Sequence, residues 1–250
     1  MIIILEPPKV SERKDSNMKK ILSLLLLVSI LTGCQPKKNE INLAELNPQN
    51  DTYYQLFVRS FADSDGDGVG DINGITENLD YLEDLGITGI WLMPINPSPS
   101  YHGYSVTNYY DIDPEYGTLE DFQNLIDTAK EKGITIMIDL VINHTSDQHP
   151  WYVDARSSSN SPYRDYYIWQ GSSAFSSFVG GMVDLNLDNE GVKTEIKNIF
   201  DFYLDMGVRG FRLDAAKHFF QKPGVTAVTL KNTFFLLEMN AYIKETYPDS

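Results

Sequence analysis

Residues 134–143, Ile-Thr-Ile-Met-Ile-Asp-Leu-Val-Ile-Asn, constrain the fold more than any other stretch of the chain. A run this apolar has no polar face to turn to water, so it reads as a strand buried on both sides, the habit of parallel sheets covered by helices. The segment before it supplies such a helix. Thr118 with Asp121 resembles a capping box, Phe122, Leu125, Ile126 and Ala129 form an apolar stripe, and Gly133 stops the helix.

The same unit of amphipathic helix, glycine and apolar strand recurs twice. Ile75, Leu79, Leu82 and Leu85 are spaced three and four apart, Gly86 ends that helix, and residues 87–93 read as a strand. A third copy runs from Asp188 through Val192, Ile196, Ile199, Phe200 and Tyr203 to Gly207, followed by the strand Val-Arg-Gly-Phe-Arg-Leu-Asp. With residues 52–61 this gives about four strands joined by helices, which fits either a doubly wound sheet or a (β/α) barrel. No glycine-rich phosphate loop follows the first strand, so nothing favours a nucleotide-binding fold.

The chain has 250 residues, 42% hydrophobic and 12% aromatic, enough for a sizeable core. Its formal net charge of -15 argues against nucleic acid or an anionic membrane surface as the main partner. Residues 18–34 have the lysine, apolar and small-residue order of an export signal, with an apolar run too short for an ordinary transmembrane helix. The signal is assigned to residues 1–34, with translation expected to start at Met18. Residues 35–50, polar and proline-containing, read as a tether. Leu31-Thr32-Gly33-Cys34 resembles the lipobox of bacterial lipoproteins, which implies lipidation at Cys34. The expected location is the outer side of a bacterial membrane, anchored by lipid alone. Cys34 is the single cysteine, so no intrachain disulfide forms.

In both candidate folds functional residues gather at the C-terminal ends of the strands. Here those ends carry Arg59, residues 101–104, Asp139, Asn143, His144, Arg212 and Asp214. Arg212 needs a buried carboxylate and Asp139 a cation, because an unpaired charge in an apolar setting is costly. A structural ion pair explains the two as well as catalysis does. Asp214 reads either as the cap of a following helix or as a carboxylate held ionised by its arginine, as a nucleophile requires.

Between His144 and Asp188 the connection runs to about 40 residues, far beyond the usual few, and residues 145–188 read as an inserted subdomain. Its Trp151, Tyr152, Tyr163, Tyr166, Tyr167, Trp169, Phe175 and Phe178 suit stacking against sugar rings, although most serve packing. A second feature lies at residues 63–71, where Asp63, Asp65, Asp67 and Asp71 alternate with glycines. Clustered hard oxygen ligands suit calcium, since without a cation the four carboxylates repel one another; a solvated acidic turn is the other reading. The loop opens like an EF-hand, but Gly74 stands where the bidentate glutamate belongs, which argues against a helix-loop-helix sensor.

Together these motifs resemble the α-amylase superfamily of glycoside hydrolases. Asp139-Leu-Val-Ile-Asn-His144 resembles its first conserved region and residues 210–218, Gly-Phe-Arg-Leu-Asp-Ala-Ala-Lys-His, its second. Met182-Val-Asp-Leu-Asn186, residues 101–110 and the acidic loop resemble three further segments. The resemblance implies an α/β fold of the (β/α)8 TIM-barrel type over residues 51–250. It implies hydrolysis of α-1,4-glucans with retention, Asp214 being the nucleophile, Arg212 its orienting partner and Asp139 the support of that arginine. Tyr104 would stack under the sugar, His102 and His144 would hydrogen-bond its hydroxyls, and Lys217 and His218 would contact the leaving-group side. Asp63, Asp65, Asp67, Asp71 and the Val69 carbonyl would hold a structural calcium ion.

The sequence departs from the family pattern at Val183 and Asn108, and the inserted segment is short. The family's general acid, a glutamate at the end of the fifth strand, has no counterpart before the chain stops at Ser250. Glu238 reads as helical and receives no such role. The expectation is therefore a nucleophile-bearing part of the barrel, inactive alone. The alternatives are a non-catalytic, lipid-anchored carbohydrate-binding or structural remnant, and a 1,6-specific or transglycosylating relative.

Overall fold

The computed structural model describes residues 51–225 and 229–248; the export signal, Cys34 and the tether read from the sequence lie outside them. Strand β1 (Tyr53–Leu56) leads through a 3-10 turn at Val58–Ser60 and the acidic loop into α1 (Ile72–Glu77), α2 (Leu79–Asp84) and β2 (Gly89–Leu92). Helix α3 (Leu119–Glu131) then feeds β3 (Thr135–Leu140). Next come β4 (His144–Ser146), α4 (Pro150–Ser157), β5 (Trp169–Gln170), β6 (Ser173–Ala174) and β7 (Met182–Asp184). Helix α5 (Glu190–Met206) feeds β8 (Gly210–Leu213), and α6 (Thr229–Thr246) follows.

Strands β1, β2, β3 and β8 form one sheet in that order, every pair parallel, with a helix on each connection: an arc of a (β/α) barrel. One cluster holds Ile90, Ile138 and Leu140 from the strands with Leu79, Leu82, Phe122, Leu125, Ile196 and Phe200 from the helices, all buried. The double-sided burial expected of residues 134–143 is observed: only Thr135 and Met137 are more than marginally exposed.

Local chemistry explains the helix ends. At α3 the Thr118 side chain accepts the Asp121 N–H and the Asp121 side chain accepts the Thr118 N–H, a complete capping box whose loss costs about 1 kcal/mol. Phe122, Leu125, Ile126 and Ala129 are all buried. Helix α5 starts at an Asn189 cap and ends at Gly207, whose φ of 106° only glycine adopts without strain.

The helix expected from Ile75 to Leu85 is two short helices. Asn78 breaks it: its side chain donates to the Gly74 carbonyl at 2.7 Å, competing with the backbone ladder. Leu85, assigned to the apolar stripe, is instead 53% exposed, because it is the cap residue and the turn rotates it out of the core.

From residue 144 onward β4 and β7 pair antiparallel, and β5 and β6 form a hairpin. The aromatic residues there are mostly packing groups. Tyr152 and Tyr167 are buried edge to face at 5.1 Å, and Arg164 caps the Trp169 ring at 3.3 Å.

Candidate active site

Parallel pairing of β3 with β8 sets Asp139 beside Arg212, and the pleat puts Trp91, Met137, Asp139, Gly210 and Arg212 on one face of the sheet. Asp139 is fully buried. Arg212 Nη1 donates to both of its oxygens, at 3.1 and 3.0 Å, and to Asp214 Oδ1 at 2.6 Å. The ring of Trp91 lies 5.2 Å from the guanidinium carbon, a cation–π contact that supports the arginine. Burial pushes the Asp139 carboxyl up, against the opposing hydrogen bonds of Tyr104 and Arg212. For Arg212 burial works against the charge, but the hydrogen bond and charge of Asp139 outweigh it and the guanidinium is held above its ordinary range.

Asp214 sits where β8 ends, its N–H donating to the Leu140 carbonyl at 3.3 Å. Ala215, next in the chain, has a φ of 55°, a left-handed conformation that costs a non-glycine residue roughly 1 kcal/mol or more. That bend turns the chain away just after Asp214, the residue that follows β8. The short turn at Ala216–His218 takes no side-chain cap, so capping does not account for the aspartate.

Tyr104 joins the network through its hydroxyl, which donates to Asp139 Oδ2 at 2.9 Å. Burial, then the charge of Asp139, raises its pKa far above the usual phenol range, so it remains a donor. The residue is positioned from two sides. His102 Nδ1 accepts the Tyr104 N–H at 3.0 Å, and His144 Nε2 bonds the Tyr104 carbonyl at 3.1 Å. That second bond requires the proton on Nε2, leaving Nδ1 to accept from Asn143 Nδ2 at 3.3 Å. Burial lowers the His144 pKa to about 4, so the ring is neutral near pH 7. With both nitrogens engaged and 1% exposure, His144 braces the Tyr104 backbone.

Lys217 is exposed, and His218 Nδ1 pairs with Gln221 Oε1 at 2.5 Å. Phe178 packs between His144 and His218 at 5.2 and 5.0 Å, so the long connection after β3 reaches the site. Glu238 lies on α6 with Lys197 at 3.3 Å and Lys193 at 3.8 Å, in agreement with its helical reading. Two contributors escaped the sequence reading. Trp91 looks like one more core residue of an apolar strand, and only alternation counted back from Asp139 through the register exposes its inward parity. Asp184, within the Met182–Asn186 motif, is buried and held by Ser177 N–H and Oγ at 2.8 and 2.5 Å, contacts that the motif alone does not reveal.

In the acidic loop, oxygens of Asp63, Asp65 and Asp71 lie within 4.8 Å of one another. Asp67 is not among them; its Oδ1 accepts the Val69 N–H at 2.7 Å. Asp63 accepts the N–H groups of Gly66 and Gly68, whose φ values of 82° and 93° make the tight turn, and Asp71 caps α1. A Cβ at Gly74 would stand 2.2 Å from the Ala62 carbonyl oxygen, so no glutamate can occupy that position.

Comparison with known proteins bears on this geometry. Residues 55–177 and 173–249 match the family model described as alpha amylase, catalytic domain. The chain belongs to that family. Alpha-amylase 3 of Dictyoglomus thermophilum is 51% identical over 216 residues, 80% of this chain and 42% of that protein. Oligo-1,6-glucosidase of Parageobacillus thermoglucosidasius is 41% identical over 188 residues, 64% of this chain and 34% of that protein. Among solved structures, the alpha-amylase from H. orenii superposes with a TM-score of 0.73 at 45% identity, covering 79% of this chain and 46% of that one. The chain thus spans less than half the length of these alpha-amylase family relatives. Residues 18–35 match the model of a prokaryotic membrane lipoprotein lipid attachment site, which makes the protein an exported, lipid-anchored lipoprotein.

Proposed function

We propose that this chain carries the nucleophile side of a retaining α-glucan hydrolase site acting on α-1,4-linked glucose units. The observation that carries the reading is the Asp139–Arg212–Asp214 relay at the ends of adjacent parallel strands, with Tyr104 bound to the same buried carboxylate. In such a site an Asp214 oxygen attacks the anomeric carbon, the glycosidic C–O bond breaks, and a general acid protonates the departing oxygen; water later releases the sugar. Arg212 fixes the attacking carboxylate, and Asp139 with Trp91 fixes Arg212. Tyr104 forms the floor under the reacting sugar, with His102 and His144 holding its backbone. Lys217 and His218 face the leaving-group side, which favours α-1,4 linkages over those named for the oligo-1,6-glucosidase relatives.

The acidic loop is proposed to hold calcium. The convergence of three carboxylates and the all-oxygen donor set fit a hard cation, with Asp63, Asp65 and Asp71 as side-chain ligands, and Asp67 and the Val69 carbonyl completing the set by resemblance. The ion would clamp the loop between β1 and α1. Cys34 is proposed as the lipidated residue, within the matched segment.

The acid role has no candidate among the described residues near Asp214. Asp139 is committed to Arg212 and Tyr104, Asp184 to Ser177, and Glu238 to two lysines. The 250-residue chain is therefore predicted to release no reducing sugar from maltodextrin above an Asp214→Ala control. Release above that control would place an acid within the chain and overturn this part of the reading.

A further inference from the structure

The turn that follows Asp214 carries Lys217 and His218, and α6 fixes its backbone. Asn232 Nδ2 donates to the Ala216 carbonyl at 2.7 Å. Phe219 and Phe220 are buried, and both meet the Phe235 ring edge to face, at 5.5 and 5.7 Å between centroids. What remains to be set is the orientation of the His218 ring, and Gln221 sets it. The Gln221 N–H donates to the His218 carbonyl at 2.8 Å, which folds the chain back so that Gln221 Oε1 meets His218 Nδ1 at 2.5 Å.

An amide oxygen can only accept, so that bond places a proton on Nδ1 and leaves Nε2 of the neutral ring as a bare acceptor. Gln221 is in turn held from the inserted segment. The Ser177 hydroxyl lies 2.5 Å from Asp184 Oδ2 and 3.3 Å from Gln221 Oε1, its proton shared unequally between them. Asp184 is 2% exposed and also accepts the Ser177 N–H at 2.8 Å, which anchors Ser177. Phe178, next in the chain, stands edge to face with the His218 ring at 5.0 Å. Phe178 thus fixes the tilt of the ring and Gln221 its proton. His218 is only partly buried, so the ring stays within reach of a ligand.

We propose that Gln221 is a positioning residue for the glucan site: it holds His218 in the Nδ1–H tautomer, so that Nε2 accepts a hydrogen bond from a sugar hydroxyl on the leaving-group side. Asp184, through Ser177, keeps the Gln221 amide in place. A bare acceptor selects groups that donate, so it engages hydroxyls and not the ring or glycosidic oxygens of the sugar. The sugar as donor rests on the functional reading above; the tautomer does not.

The test reads the ring directly. NMR of the full chain labelled with 15N-histidine, at pH 8, distinguishes the tautomers of the four histidines, with His218 assigned by the signal lost in His218→Gln. The expected state is a protonated Nδ1 and an unprotonated Nε2. Gln221→Leu fills the same space without an acceptor and should return the ring to the Nε2–H form that prevails in water. Gln221→Glu restores an acceptor oxygen and should keep Nδ1 protonated. A wild-type ring protonated on Nε2, which needs no variant to detect, overturns the proposal, as does a tautomer unchanged in Gln221→Leu. Titration with maltotriose to about 20 mM, enough for a millimolar site, separates this proposal from the glucan reading. The Nε2 signal is expected to shift in a saturating way, with a Kd roughly three- to tenfold weaker in Gln221→Leu and close to wild type in Gln221→Glu. Equal affinity in wild type and Gln221→Leu overturns the positioning role. The expected tautomer with no response to maltotriose overturns the glucan reading and leaves the hold of Gln221 on the ring standing.

Discussion

At the residue scale, the charges in β3 and β8 are mutually dependent. Asp139 is fully buried, so its carboxylate is tolerable only with Arg212 and Tyr104 as partners. Arg212→Ala removes the cation and strands that carboxylate, and is predicted to cost roughly 3–5 kcal/mol by urea denaturation. Asp214→Ala, which leaves the Asp139–Arg212 pair intact, should cost much less; equal losses would show that the pair is not the stabilising unit. This pairing was legible in the sequence, since a lone aspartate in one apolar strand and a lone arginine in another each demand a partner. The part played by His144 was not. It depends on the Tyr104 carbonyl, 40 residues earlier in the chain, arriving opposite Nε2, and no local pattern records that approach.

At the element scale, helix caps and apolar stripes were readable because their causes are local. The α3 capping box and the Gly207 terminator appear in the structure as the residue types require. Asn78 and Leu85 show where such reading fails: one side-chain bond to Gly74 splits a helix that periodicity alone would continue. The acidic loop is a further element whose state depends on chemistry beyond the chain. Three converging carboxylates repel one another unless a cation joins them. If calcium binds the folded chain with free ion at about 100 times Kd, removal by chelator costs about 2.7 kcal/mol and lowers Tm by roughly 5–10 °C for a domain of this size. Calorimetry with and without chelator measures it, and an unchanged Tm contradicts the assignment.

For the whole molecule, stability should fall on the acid side of neutrality. His144 and His149 are held near 4 by burial, against an ordinary 6.5. Between those values the unfolded chain binds protons that the folded chain refuses, so stability drops as pH falls through the window, by up to roughly 3 kcal/mol per histidine. Asp139 and Asp184, whose carboxyls burial raises, act in the opposite sense at the acid end. Urea denaturation from pH 7 to 4.5 should show this slope, and His144→Gln with His149→Gln should flatten it; an unchanged slope in the double variant contradicts the account. The barrel arc itself was legible from three repeats of helix, glycine and strand, whereas the packing of the long connection against His144 and His218 through Phe178 was not. The central claim is that this arc presents Asp214 as a nucleophile, and it can be tested without a general acid by using a sugar whose leaving group needs no proton. Incubation with 5-fluoro-α-glucosyl fluoride followed by peptide mass spectrometry should find one glycosyl group on Asp214, absent in Asp214→Asn. A chain that stays unlabelled, or carries the sugar on another residue, contradicts it.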